Sequence, residues 1–168
     1  MREVQKLVKQ ERMRKKSVGK LLGGQDKGEE AIAAAASATI GAVSGADILK
    51  AISVFGETSG EPTIQAAKNA AEIAAAKKDN DKTLDAAKKD AVIAAGIVLR
   101  GMAKDGKFAA KNDDKAYHAI NGVVSSAVNK VLSTLTIAIR NRVDEGLKEI
   151  NKVLGEIKEG EGSEVKTN

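Results

Sequence analysis

Gly101-Met102-Ala103-Lys104-Asp105-Gly106-Lys107-Phe108 is the stretch of this chain that comes nearest to a chemical motif. A phosphate-binding loop needs glycine at its first and sixth positions, lysine at the seventh and serine or threonine at the eighth. The glycines and the lysine are in place. The eighth residue is Phe108, which has no oxygen to offer a magnesium ion. The motif also belongs between a strand and a helix, and here it follows a helical apolar run. It therefore reads as a helix C-terminus with Gly106 as the stop.

Asp79, Asp81, Thr83 and Asp85 alternate as oxygen ligands do in a calcium loop. Such a loop needs glycine at its sixth place and a bidentate glutamate at its twelfth. Leu84 and Asp90 stand there, so the segment reads as a polar turn between helices. His118 is the single histidine, and the chain has no cysteine. Metal pairs, thiol catalysis and disulfides are thereby left without their usual residues. His118 has no nucleophile or orienting group at motif spacing and reads as a flanking surface residue. No catalytic, cofactor-binding or metal site is expected, and the chain is not expected to be an enzyme.

The net charge of +5 is unevenly placed. Residues 1–20 hold eight cations (Arg2, Lys6, Lys9, Arg12, Arg14, Lys15, Lys16 and Lys20) against Glu3 and Glu11, a balance of +6. The other 148 residues therefore carry −1. A basic arm of this kind can attract phosphate or anionic lipid. A solvated helix face is the plainer reading. Nucleic acid is the weaker partner, because no aromatic or Gly-rich RNA motif accompanies the charge.

The elements that would carry these residues are helical. Aromatics are limited to Phe55, Phe108 and Tyr117, there is one proline, and alanine with Ile, Val and Leu must supply the burial. Alanine forms helix at no side-chain entropy cost, and no sustained alternation points to strands. The fold class expected is all-α: an elongated helical bundle with Gly-rich inter-helix loops, residues 1–168 forming a single helical domain. Residues 1–17 read as a basic amphipathic helix with Val4, Leu7 and Val8 on one face. Gly19 to Gly28 reads as a flexible loop. A small-residue helix runs from Glu29 to Ile40. Ser44 and Asp47 form a capping box ahead of Ile48, Leu49, Ile52 and Phe55. Gly56 to Glu61 is a loop, and Pro62 opens a helix to about Lys78. Asp79 to Asp81 is a turn, and the next helix spans about Leu84 to Ala103. Residues 18–114 thus hold helices and loops, including the segment 88–111.

The last pattern is the longest. Ile120, Val123, Ala127, Val131, Leu135, Ala138, Val143, Leu147, Ile150, Leu154 and Ile157 recur near the helical period. They support one helix over 115–158, about 66 Å long at 1.5 Å per residue. Its apolar stripe calls for a partner along its length, which the N-terminal helix could partly supply. Residues 159–168 read as a disordered tail. No unbroken apolar run approaches the roughly 18 residues of a membrane helix. Met1 to Lys6 has no apolar core of a signal peptide.

One segment carries a resemblance. Lys88-Lys89-Asp90-Ala91-Val92-Ile93-Ala94-Ala95-Gly96-Ile97-Val98-Leu99-Arg100-Gly101-Met102-Ala103-Lys104-Asp105-Gly106-Lys107-Phe108-Ala109 closely resembles an invariant segment of the borrelial variable large proteins, and of the related variable surface antigen of the Lyme group. Leu99 to Gly106 is its specific core. Gly122 to Leu132 is similar to the family's C-terminal helix, and Lys20 to Gly24 and Ser44 to Leu49 to its middle region. The resemblance covers nearly all of the chain from Val18 onward. It implies a plasmid-encoded, mostly helical spirochaetal lipoprotein, surface-exposed on the cell outer membrane and expressed one variant at a time, so that host antibodies are evaded. In the family the N- and C-terminal helices pair near the membrane, variable loops project distally, and the invariant segment is a largely buried helix. The partners implied are host antibodies and the outer membrane, reached through a lipid anchor whose acceptor cysteine is not among these residues. The chain reads as the C-terminal part of a full-length member, a truncated or partial copy, with self-association possible. The alternative is a helical protein that binds nucleic acid or an anionic membrane through the basic arm.

Overall fold

The computed structural model describes residues 1–23, 28–54, 60, 62–77, 84 and 89–163, with side chains as far as 157. These residues form six α-helices: α1 (Arg2–Val18), α2 (Glu30–Gly41), α3 (Gly45–Ser53), α4 (Ala70–Ala75), α5 (Asp90–Met102) and α6 (Asp114–Ser163). A 3-10 turn, Gly19–Leu22, follows α1 directly. No strand occurs among the described residues; Thr63 and Lys77 make an isolated parallel bridge. The 168 residues expected as one domain divide into two units, Met1–Val131 and Leu132–Asn168.

In the first unit α5 lies at the centre, packed on α2, α3 and α4. Ile93, Ala94, Ala95, Ile97 and Val98 of α5 are buried, together with Ile48 of α3, Ile73 of α4 and Ile32, Ala33 and Ala36 of α2. Small residues let these helices approach closely. A Cβ on Gly96 would lie 2.3 Å from Cγ2 of Ile73, so α4 seats its isoleucine in the space a side chain would need. α3 begins as its sequence indicates. Ser44 Oγ accepts from the Asp47 backbone N–H at 3.1 Å, and Asp47 Oδ2 accepts from the Ser44 N–H at 3.1 Å, which satisfies two orphan donors at once.

Several expectations change. Gly19 to Gly28 is not wholly loop: Gly19–Leu22 turn inward, Leu21 and Leu22 are buried, and the Ala109 N–H donates to the Leu21 carbonyl at 2.8 Å. Residues 24–27 of that loop lie outside the described residues. The helix expected from Pro62 is confined to α4. Asn69 has extended backbone (φ −128°, ψ 177°), and its side chain accepts from the Glu72 N–H at 2.9 Å. That cap starts the helix at Ala70, eight residues after Pro62, and Thr63 to Ala66 form a turn instead. α5 begins at Asp90, after extended Lys89; Leu84 is buried but not helical. Phe55, the loop 56–59 with Glu61, and the turn at Asp79 to Asp81 lie outside the described residues, while Gly60 adopts φ +71°.

α6 starts where Asp113 accepts from the Ala116 N–H at 2.8 Å. It runs past the expected end to Ser163, so residues 159–163, expected as part of a disordered tail, are helical; 164–168 lie outside the described residues. Within the first unit its inward side buries Ala116, Ile120, Ala127 and Val131. Lys130 Nζ donates to the carbonyls of Ile40 (2.8 Å) and Val43. A cation there complements the negative end of α2. In the second unit the same periodic stripe is exposed, from Leu135 to Ile157. Despite the broken apolar runs of the sequence, Asp114–Ile157 is long and apolar enough by composition to cross a membrane. Its most apolar stretch has a mean hydropathy of 1.4, and 11% of that stretch is buried. Ser, Thr and Asn interrupt the apolar residues, which is why no continuous run shows in the sequence.

Candidate functional site

The segment Gly101 to Phe108 leaves α5 at Met102 and turns away from the helix. The stop is Ala103, with extended backbone (φ −70°, ψ 140°), and not Gly106 as the spacing suggested. Gly106 closes the turn that follows, its N–H donating to the Ala103 carbonyl at 3.0 Å. A Cβ on Gly106 would lie 1.7 Å from the Arg100 carbonyl oxygen, so glycine is required for close approach of two backbones. In a phosphate loop the backbone N–H groups are turned to the ligand. Here one of them is spent inside the turn.

Arg100 organises this corner. It is 7% exposed, and burial lowers its pKa by disfavouring the charged form. Its Nε donates to the Lys107 carbonyl at 2.7 Å, and its Nη1 to the carbonyls of Ala76 (3.0 Å) and Ala74 (3.3 Å). The guanidinium thereby caps the end of α4 and holds the turn after α5. Its carbon lies 5.9 Å from the Phe108 ring centroid, within the range of a cation–π contact. Phe108, which stands where a nucleotide site needs a hydroxyl, instead packs beside the buried cation. Nothing in residue type or spacing marked Arg100 as buried; the adjoining apolar run was the one available signal.

The other candidates separate. Asp79, Asp81, Thr83 and Asp85 lie outside the described residues. Asp90, the twelfth residue of that near-match, pairs with Arg14 of α1, its Oδ2 3.2 Å from Nη2, and with Lys15, its Oδ1 3.8 Å from Nζ. Thr39 of α2 accepts from Arg14 Nη1 at 2.6 Å. This cluster ties α1 to α2 and α5, a role the sequence did not signal because its members are 25 and 76 residues apart. His118 is exposed, edge-on to Tyr117 with ring centroids 5.9 Å apart. Among the described residues no three His, Asp or Glu side chains converge as a metal site would require.

The basic arm splits in two. Arg14 and Lys15 turn inward to Asp90 and Glu11, while Arg2, Lys6, Lys9, Arg12 and Lys16 remain exposed. Val4, Leu7 and Val8, expected as a packing face, are 64%, 62% and 51% exposed.

What the geometry assembles is a scaffold whose polar groups hold helices together, with apolar and basic surfaces turned outward. The family model described as Borrelia lipoprotein matches residues 2–154. Variable large protein 4 of Borrelia hermsii is 51% identical over 162 residues, an alignment covering 92% of this chain and 46% of that protein. Variable large protein 17 of the same organism is 53% identical over 136 residues, covering 74% of this chain and 38% of the relative. The chain thus spans less than half the length of these two relatives. The crystal structure of the Lyme disease variable surface antigen VlsE of Borrelia burgdorferi superposes with a TM-score of 0.72 at 39% identity, over 83% of this chain and 55% of that one. By its sequence over 2–154 and by its helical architecture, this chain belongs to the Borrelia lipoprotein family.

Proposed function

We propose that this protein is an antigenically variable surface lipoprotein, displayed at the cell outer membrane, whose variant exchange evades the host antibody response. The observation that carries the reading is the pairing of two matches: half-identity to a variable large protein over nearly the whole chain, and a shared fold with a variable surface antigen. A family that keeps its fold while its sequence diverges needs an interior that tolerates little change and a surface that tolerates much. The chain is built that way. α5, the helix with the invariant-type sequence, has seven buried residues of thirteen, and core substitutions are the costly ones. The partners are host antibodies and, through a lipid anchor, the outer membrane. No ligand chemistry or catalysis is part of the role.

The test is serological. Antiserum raised against the folded chain should bind it and bind folded Variable large protein 4 weakly. Antiserum raised against a peptide of residues 90–100, all buried or half-buried in the fold, should recognise both proteins once denatured and the folded chain much less. Equal recognition of the two folded proteins by the first serum would sink the proposal, because the variable surface would then not be what antibodies see.

A further inference from the structure

We propose that the outer face of α1 docks electrostatically on an anionic lipid surface. Arg2, Lys6, Lys9, Arg12 and Lys16 follow one another at steps of four, three, three and four. At 3.6 residues per turn they fall within about 120° of the helix circumference, in a row about 21 Å long. All five are exposed. Neither acid of the helix interrupts the row: Glu3 lies off it, and Glu11 is turned toward Lys15 and Arg14. None of the five has a carboxylate partner among the described residues. α6 is the contrast, since its exposed charges alternate in sign and pair locally, as in Arg142–Glu145 and Lys152–Glu156.

The row therefore carries the chain's excess charge on one side of one helix, and charge complementarity calls for an extended anionic partner. Apolar atoms lie beside the cations: a shallow depression of about 550 Å³ brings Val8 and Met13 together with Lys9, Arg12 and Lys16. Cations flanked by apolar side chains suit the head-group region of a bilayer. The row has no aromatic residue to stack on a base, which favours lipid over nucleic acid. The choice also rests on the lipoprotein reading above, which places the chain beside a membrane.

The experiment is sedimentation of the full chain with phosphatidylcholine vesicles, with and without 30 mol% phosphatidylglycerol, at about 0.15 M salt. Binding is expected to the anionic vesicles alone. Each cation near an anionic surface contributes about fivefold in partitioning, so K6E/K9E/R12E should lower it by about 100-fold or more at unchanged helix content. A K148E/K152E variant, altered in α6, should bind as the parent does. Binding to neutral vesicles, an equal loss in the α6 variant, or tighter binding to duplex DNA than to anionic vesicles would overturn the proposal. The serological result is independent of all of these, so the two readings fail separately.

Discussion

Arg14 of α1 grips Asp90 of α5 with one nitrogen, Nη2, lying 3.3 Å from Oδ1 and 3.2 Å from Oδ2. Asp90 is the first residue of α5, where a carboxylate also complements the positive helix end. Both side chains are largely covered, at 22% and 15% exposed. Removing the acid would leave Arg14 and Lys15 facing each other without it. Asp90→Ala is expected to destabilise the chain by about 2 kcal/mol, read as a lower urea midpoint. Arg14→Ala combined with Asp90→Ala should cost less than the two single losses added. Strict additivity would show that the pair is not coupled.

The approach of α4 to α5 predicts a second effect. Because Ile73 occupies the space above Gly96, Gly96→Ala should destabilise by about 1–3 kcal/mol through overpacking. On helix propensity alone the same change would stabilise by about 1 kcal/mol, so the sign of the measured shift decides between packing and propensity. Gly96→Ala combined with Ile73→Ala, which removes the crowding Cγ2, should cost less than the two single losses added.

These two contacts also show where sequence reading reaches and where it stops. The helical period of residues 120–157 and the Ser44–Asp47 box are local signals, and α6 and the start of α3 follow them. Pro62 misled because the alanine-rich stretch after it favours helix throughout, and Asn69 decides the start through its own side chain. Amphipathic spacing names the face of α1 that could be buried, but burial needs a neighbour, and Val4, Leu7 and Val8 are exposed. Arg100 and the Arg14–Asp90–Thr39 cluster rest on contacts across 24 to 76 residues that no local pattern encodes. The near-match at Gly101 to Phe108 was legible for the opposite reason, since one missing hydroxyl suffices to reject it.

The cap of α3 predicts a pH dependence. The Ser44 hydroxyl, then the Ser44 backbone N–H, hold the Asp47 carboxyl below its ordinary pKa of 3.8. A carboxylate with a lowered folded-state pKa stabilises above its unfolded value and loses that contribution as pH falls through the folded value. The cap should therefore be intact from neutral pH down to about 4 and weaken below it. Melting curves of the parent and Asp47→Asn should differ at pH 7, and the difference should shrink as pH falls below about 4. Ser44→Ala should cost about 1 kcal/mol at pH 7. A difference between parent and Asp47→Asn that is constant across that range would show that the carboxylate charge is not what the cap uses.

The second unit predicts behaviour at high concentration. Val143, Leu147, Ile150, Leu154 and Ile157 recur at steps of four and three, and each is more than half exposed. Five such side chains on one helix face make an apolar strip of the kind that drives association. The chain is expected to sediment as a concentration-dependent mixture, and a Leu147→Gln, Ile150→Gln, Leu154→Gln variant as a monomer. Leucine and glutamine have similar helix propensity, so the helix should persist in the variant, as circular dichroism can verify. A drop in association at constant helix content then isolates the lost apolar surface as the cause. Parent chains that remain monomeric at high concentration would mean that the strip, though exposed, is too narrow to offset the entropy lost when two chains combine.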